Sequence, residues 1–222
     1  RRNRKRTITA TADPMLTEES SVVLKNVSAQ IEAIPLPIAY IMEWGGEYED
    51  SMDAQVAIGK QLPMSFIAMF AILVIMFNGL RQPMVIVLCV PLSIIGITVG
   101  LLLTNKPFDF MGLLGFLSLT GMLIKNAIVL VDQINCEIAA GKIQINAIID
   151  SALGRARPVL LAAVTTVLGM IPLLTDAFFV SMAVVIMFGL TFATILTLLV
   201  VPVLYALIVP EAPKKESLVA SS

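Results

Sequence analysis

The 222-residue chain is 58% hydrophobic and only 14% charged, with a mean hydropathy of +0.92. A soluble domain is nearer half apolar and a quarter charged, so this is the composition of an integral membrane protein. A formal net charge of −1 implies no polyanion-binding surface, hence no nucleic-acid partner, and the lack of histidine removes the commonest metal ligand and the ordinary near-neutral pH switch.

The chain opens 1-RRNRKRTITATADP-14, without methionine or an apolar signal segment, and reads as an excerpt of a longer protein. Residues 1–60 are its polar third. Residues 6–12 alternate polar with small or apolar side chains, as a strand edge does. Asp13-Pro14 marks a turn, and Thr17 with Glu18 and Glu19 marks a helix N-terminus. Val23, Val27, Ile31 and Ile34 recur at helical spacing until Pro35 and Pro37 end the helix. Residues 38–44 predict a second strand, closed by Gly45-Gly46. The expectation is a β-α-β unit too small to bury a core alone, and therefore part of a larger soluble domain. Glu47, Glu49, Asp50 and Asp53 lead from it towards the membrane.

Five apolar segments follow, at residues 62–80, 84–104, 108–131, 155–174 and within 178–209. Arg81-Gln82-Pro83 and Asn105-Lys106-Pro107 separate the first three, and 155-RARP-158 opens the fourth. Pro91, Pro172 and Pro202 fall inside spans, where neighbouring groups can satisfy the freed carbonyls. Gly96 and Gly100 form a small-xxx-small pattern that suits close helix packing. Cys89 lies in an apolar run and Cys136 in what reads as a polar loop, an arrangement that suggests neither a disulfide nor a metal site. One set of alternate loops carries Arg81, Lys142, Arg155, Arg157, Lys214 and Lys215, and the other carries Lys106. By the positive-inside rule the first set is cytoplasmic, which places residues 1–60 outside and the tail, 210–222, inside.

Lys125 stands in the third span, where a lysine costs about 2.5–3.5 kcal/mol on insertion scales. Two readings compete. In the first, its stem snorkels to the head groups past Val131, about 9 Å along the axis. Helical side chains tilt towards the N-terminus of their own helix, however, which carries this one back towards the bilayer centre. In the second reading Lys125 works at depth and needs a carboxylate. Asp109 and Asp132 stand near the two ends of the same segment and make poor partners, so the acid is expected on a helix outside this chain. Asn126, Ser118, Thr120, Thr165 and Thr166 are the other polar groups of the spans, and each alone reads as a packing or back-bonding residue. Arg155 and Arg157 read most simply as topology anchors.

The stretches 112-GLLGFLSLTGMLIKNAIVLVDQIN-135, 154-GRARPVLLAAVTTVLGMIPLL-174 and 43-EWGGEYEDS-51 resemble the resistance-nodulation-division (RND) efflux transporters, and most of all their branch for hydrophobic and amphiphilic compounds. The resemblance covers essentially the whole chain. It corresponds to the C-terminal part of such a protein: the end of a ferredoxin-like porter subdomain over residues 1–60, membrane helices eight to twelve over 61–209, and a tail. It implies a mainly α, multi-pass inner-membrane protein that works as a homotrimer. The implied partners are a periplasmic adaptor and an outer-membrane channel, and the implied activity is multidrug/proton antiport driven by the proton gradient, with no bound cofactor. The family's relay lysine matches Lys125, beside Asn126, and its partner aspartates lie on a fourth helix that this chain lacks. The family's arginine at the start of the eleventh helix matches Arg155. Several members carry a relay threonine seven residues later, where this chain has Ala162, so Thr165 and Thr166 stand as substitutes. Competing expectations are a related exporter of protein or lipid and an inert truncated membrane fragment. A membrane enzyme is the weakest reading, because no nucleophile–base pair, metal set or phosphate loop is evident.

Overall fold

A computed structural model describes residues 7–12, 20–37 and 40–209. Its elements, in chain order, are α1 (Ser20–Glu32), α2 (Glu47–Phe77), α3 (Arg81–Val87), α4 (Val90–Thr104), α5 (Phe110–Ala139), α6 (Gln144–Met170) with a 3-10 extension (Ile171–Thr175), and α7 (Val180–Ile208). Five stretches are long and apolar enough to cross a membrane: α2, α3 with α4, α5, α6 with its extension, and α7.

The expected partial β-α-β unit is corrected here: among the described residues there is no strand. Residues 7–12 and 40–45 are irregular, and Ile8 and Ile41 are 95% and 78% exposed. A strand is stable only when its backbone pairs and one face is covered, and two short segments cannot supply both. The helix of the unit does form as α1, with Val23, Val27 and Ile31 in register, but it buries none of its residues. Ile34 lies beyond its end. The expected N-terminal signals Thr17, Glu18 and Glu19 lie outside the described residues, as do Lys214 and Lys215 of the tail.

The remaining helices begin and end where the chemistry demands. Glu47, Glu49 and Asp50 occupy the first turn of α2, where carboxylates meet the positive end of the helix dipole. The helix then continues past Pro63 to Asn78, which stops it in the left-handed conformation (φ 49°). The second span is divided at Leu88 and Cys89, because Pro91 has no N–H and its ring excludes the carbonyl four residues earlier. Asp109 caps α5 by accepting the Gly112 N–H at 2.8 Å. α5 runs on to Ala139, so Cys136 sits on a helix rather than in the expected loop. α6 starts at Gln144 and passes through Pro158, so Arg155 lies well inside a helix rather than opening one. Gln144, Ala147, Ile148 and Ser151 explain the early start: they are buried at helical spacing against the bundle. Gly141, at φ 93°, makes the tight turn between α5 and α6.

α7 is the hub, packed against α4, α5 and α6. Close approach depends on glycine. A methyl group at Gly96 would stand 2.8 Å from the Phe188 carbonyl oxygen and one at Gly100 2.5 Å from Phe188 Cβ, while one at Gly189 would stand 2.4 Å from a Leu119 methyl carbon. The small-xxx-small pattern is thus the α4–α7 seam. One apolar cluster joins Val85, Ile86, Ala127, Val131, Ile134, Val201 and Tyr205, and a second joins Ile97, Leu119, Leu123, Val185 and Leu190.

Hydrogen bonds settle which helix ends lie together. Gln82 of α3 bonds Asn135 of α5, Tyr205 of α7 bonds Asn135, and Gln144 of α6 donates to the Val209 carbonyl at 2.9 Å. Arg81 and Lys142 therefore share one end of the bundle. At the other end Ser181 of α7 donates to the Pro107 carbonyl beside Lys106.

Candidate functional site

α5 carries the site. Lys125 stands midway along this 30-residue helix. The exposed positions of α5 are Ser118, Gly121, Lys125, Asp132, Cys136 and Ala139. Their spacing of three, four and seven residues puts them on one face. The other faces are lined by Leu119, Leu123, Ile124, Ala127, Leu130, Val131 and Ile134, all buried. The helix thus turns its apolar sides to the bundle and leaves a polar and small-residue stripe uncovered. That is the reverse of a lipid-facing surface, where a charged residue is costly and long apolar side chains are expected. A Cβ added at Gly121 would meet nothing within 4 Å, so the stripe also has room for close approach by another helix.

Among the described residues, no ion pair or hydrogen bond reaches Lys125, Asn126 or Asp132. Asp109 is occupied as the α5 cap. The snorkelling and deep-charge readings differ in a concrete way. Lys125 belongs to a stripe that includes a second polar residue on each side, which an isolated snorkelling lysine does not need.

Arg155 does not approach Lys125 through any hydrogen bond. It donates from Nη2 to Gln133 Oε1 at 3.1 Å, two turns further along α5. Gln133 in turn donates from Nε2 to Glu137 Oε1 at 3.2 Å. Glu137 Oε2 lies 2.8 Å from Lys142 Nζ, and Lys142 Nζ lies 2.7 Å from Asp150 Oδ2. The hydrogen bonds that the Lys142 ammonium donates to Asp150 and then to Glu137 hold it above the usual lysine range. Arg157 is exposed on another side of α6. Thr165 and Thr166 both donate to the Ala162 carbonyl at 2.9 Å. Such back-bonding satisfies each hydroxyl locally and leaves its oxygen able to accept. Gln133 and Asn135 were missed in the sequence reading. The signal available was weak: two amides, Gln133 and Asn135, near the end of an apolar segment, with no partner legible along the chain.

A family model described as the AcrB/AcrD/AcrF family matches residues 1–209. The chain belongs to that family, the RND transporters. Within the family, the chain is similar to the cobalt-zinc-cadmium resistance protein CzcA of Cupriavidus metallidurans, at 30% identity over 93% of this chain and 20% of that protein. It is similar to the swarming motility protein SwrC of Bacillus subtilis at 27% identity, over 90% of this chain and 20% of that protein. A crystal structure of a heavy metal efflux pump matches the fold with a TM-score of 0.65 and 32% identity, covering 85% of this chain and 20% of that one. The chain spans about a fifth of the length of these RND relatives.

Proposed function

We propose that these residues form the C-terminal part of a proton-driven efflux transporter of the inner membrane, and that Lys125 is the cation of its proton relay. The observation that carries this is the bare polar stripe of α5, with Lys125 at its centre and no described residue to balance it. A helix from the rest of the transporter covers that stripe and brings a carboxylate to the lysine. While the acid is ionised, the pair is held together. When the acid takes up a proton, the attraction is lost and the helices are released to move. Asn126, next in sequence, and Arg155, Thr165 and Thr166 on α6 supply hydrogen-bonding groups along the proton path. The side that carries Arg81 and Lys142 faces the cytoplasm.

The working form is a homotrimer with a periplasmic adaptor and an outer-membrane channel, as the family resemblance implies. The cargo is hydrophobic or amphiphilic, as the resemblance of residues 43–51, 112–135 and 154–174 to the branch exporting such compounds implies. A second reading is export of divalent metal cations, and the similarity to metal-resistance proteins and to a heavy metal efflux pump favours it. One experiment separates them. The whole transporter carrying these residues is expressed in a host without its own pumps, and survival is scored against dyes and detergents and against cobalt, zinc and cadmium salts. Protection against the amphiphiles alone supports the first reading, and protection against metals alone the second. No protection by a protein that reaches the membrane would sink the transport proposal.

A further inference from the structure

We propose that Gln133 is a positioning residue for Arg155, and that it links this arginine to the turn between α5 and α6. The proposal rests on the reading of Arg155 as part of the relay. Gln133 lies on α5 and Arg155 on α6, both partly buried, and theirs is a side-chain bond that crosses between these two helices. The amide is matched at both ends. Its oxygen accepts from the guanidinium, and its nitrogen donates to the Glu137 carboxylate. Turning the amide over would set donor against donor at Arg155 and acceptor against acceptor at Glu137, so the two charged neighbours fix one orientation. Glu137 is itself held by Lys142, and Lys142 by Asp150 of α6. The result is a closed path: from α6 at Arg155, across to α5, along one turn of α5, through the loop, and back to α6 at Asp150.

The closure has a mechanical consequence. An arginine side chain has several freely rotating bonds and a large rotamer entropy. One well-placed acceptor restricts it, and this acceptor is braced by an ion-paired carboxylate rather than by another flexible group. A shift of the α5–α6 turn therefore reaches Arg155 through three side chains. Glu137 keeps Lys142 whatever stands at 133, so the acceptor oxygen is the part of Gln133 that Arg155 requires.

The test uses the whole transporter and the export of ethidium, or of cadmium(II) where the wild type exports metal instead. Variants are compared at equal membrane level. Gln133→Met keeps the size and removes the acceptor, and is expected to lower the export rate at least tenfold. Gln133→Ala, which adds no bulk, carries the same expectation and serves if the methionine variant does not reach the membrane. Gln133→Glu combined with Glu137→Gln keeps an acceptor oxygen for Arg155 and exchanges the amide and the carboxylate between the two positions, so no two acceptors are opposed, and it should restore export to within threefold of wild type. Wild-type export by the Met or Ala variant overturns the proposal, and so does an exchanged pair as poor as Met. Arg155→Ala in the same assay tests the underlying reading separately. If it exports normally, the relay role of Arg155 fails. If it is inactive while Gln133→Met is normal, only the positioning role fails.

Discussion

The Tyr205 hydroxyl donates to Asn135 Oδ1 at 2.6 Å, and Asn135 exchanges two further bonds of 3.1 Å with Gln82. One asparagine thereby joins α3, α5 and α7 at a single point. Tyr205 is 1% exposed, so its hydroxyl has no ready substitute in water. Tyr205→Phe should cost about 0.5–1.5 kcal/mol, because Asn135 keeps Gln82. Asn135→Leu strands both the tyrosine hydroxyl and the Gln82 amide and should cost about 2–5 kcal/mol. Thermal unfolding in detergent can be followed by the reaction of a thiol dye with Cys89, buried in the fold, after Cys136→Ser removes the exposed thiol. Equal melting temperatures for the two variants would contradict the shared-acceptor arrangement.

The glycines divide into two groups with opposite expectations. Gly96 meets the Phe188 carbonyl and Phe192 Cβ, so Gly96→Ala should overpack the α4–α7 seam and cost about 1–3 kcal/mol. Gly121 faces open space, and Gly121→Ala should leave the stability of this bundle unchanged or raise it by up to about 1 kcal/mol. In the whole transporter the same Gly121→Ala should impair export, because a helix covering the stripe loses its close approach. The first pair is read by the dye assay above and the last by transport. A Gly121→Ala transporter with normal export would argue against a covering helix at that position.

Lys125→Ala should abolish export with normal membrane levels, a loss of at least tenfold. Without the cation, the carboxylate proposed to face it should prefer to be neutral and stay protonated. Lys125→Arg should reduce export less severely, since a planar fork does not replace a compact ammonium in a packed site. Accumulation of a fluorescent substrate in cells matched for protein level measures both. A fully active Lys125→Ala protein would return the lysine to the snorkelling reading.

Cys136 is exposed on the last turns of α5, at the end of the bundle that carries Arg81 and Lys142. Cys89 is buried at the α3–α4 break. An impermeant thiol reagent should leave both unlabelled in intact cells and label Cys136 once the membrane is opened. Labelling of Cys136 in intact cells would reverse the assigned orientation.

Much of this could be read along the chain, because hydropathy adds residue by residue. The sequence alone determined five spans, the lysine in the middle of the third, and the shortage of acids to balance it. It also marked Gly96 and Gly100 as a packing seam. Its boundaries were less secure where a helix extends beyond its apolar span: the fourth segment was expected to open at Arg155, yet α6 starts at Gln144, and Gln144, Ala147, Ile148 and Ser151 pack on the bundle. Only the tertiary structure decided that the outlying segments hold no strand among the described residues, since a strand depends on a partner backbone that its own residues cannot provide. Only the tertiary structure, too, decided which face of α5 is bare and that Arg155 meets Gln133 rather than Lys125. Those outcomes depend on the rotation and axial register of each helix. Register is set by how closely α4, α5 and α7 approach at Gly96, Gly115 and Gly189, and a local glycine pattern can mark such a contact but does not encode its partner, which lies on a distant segment.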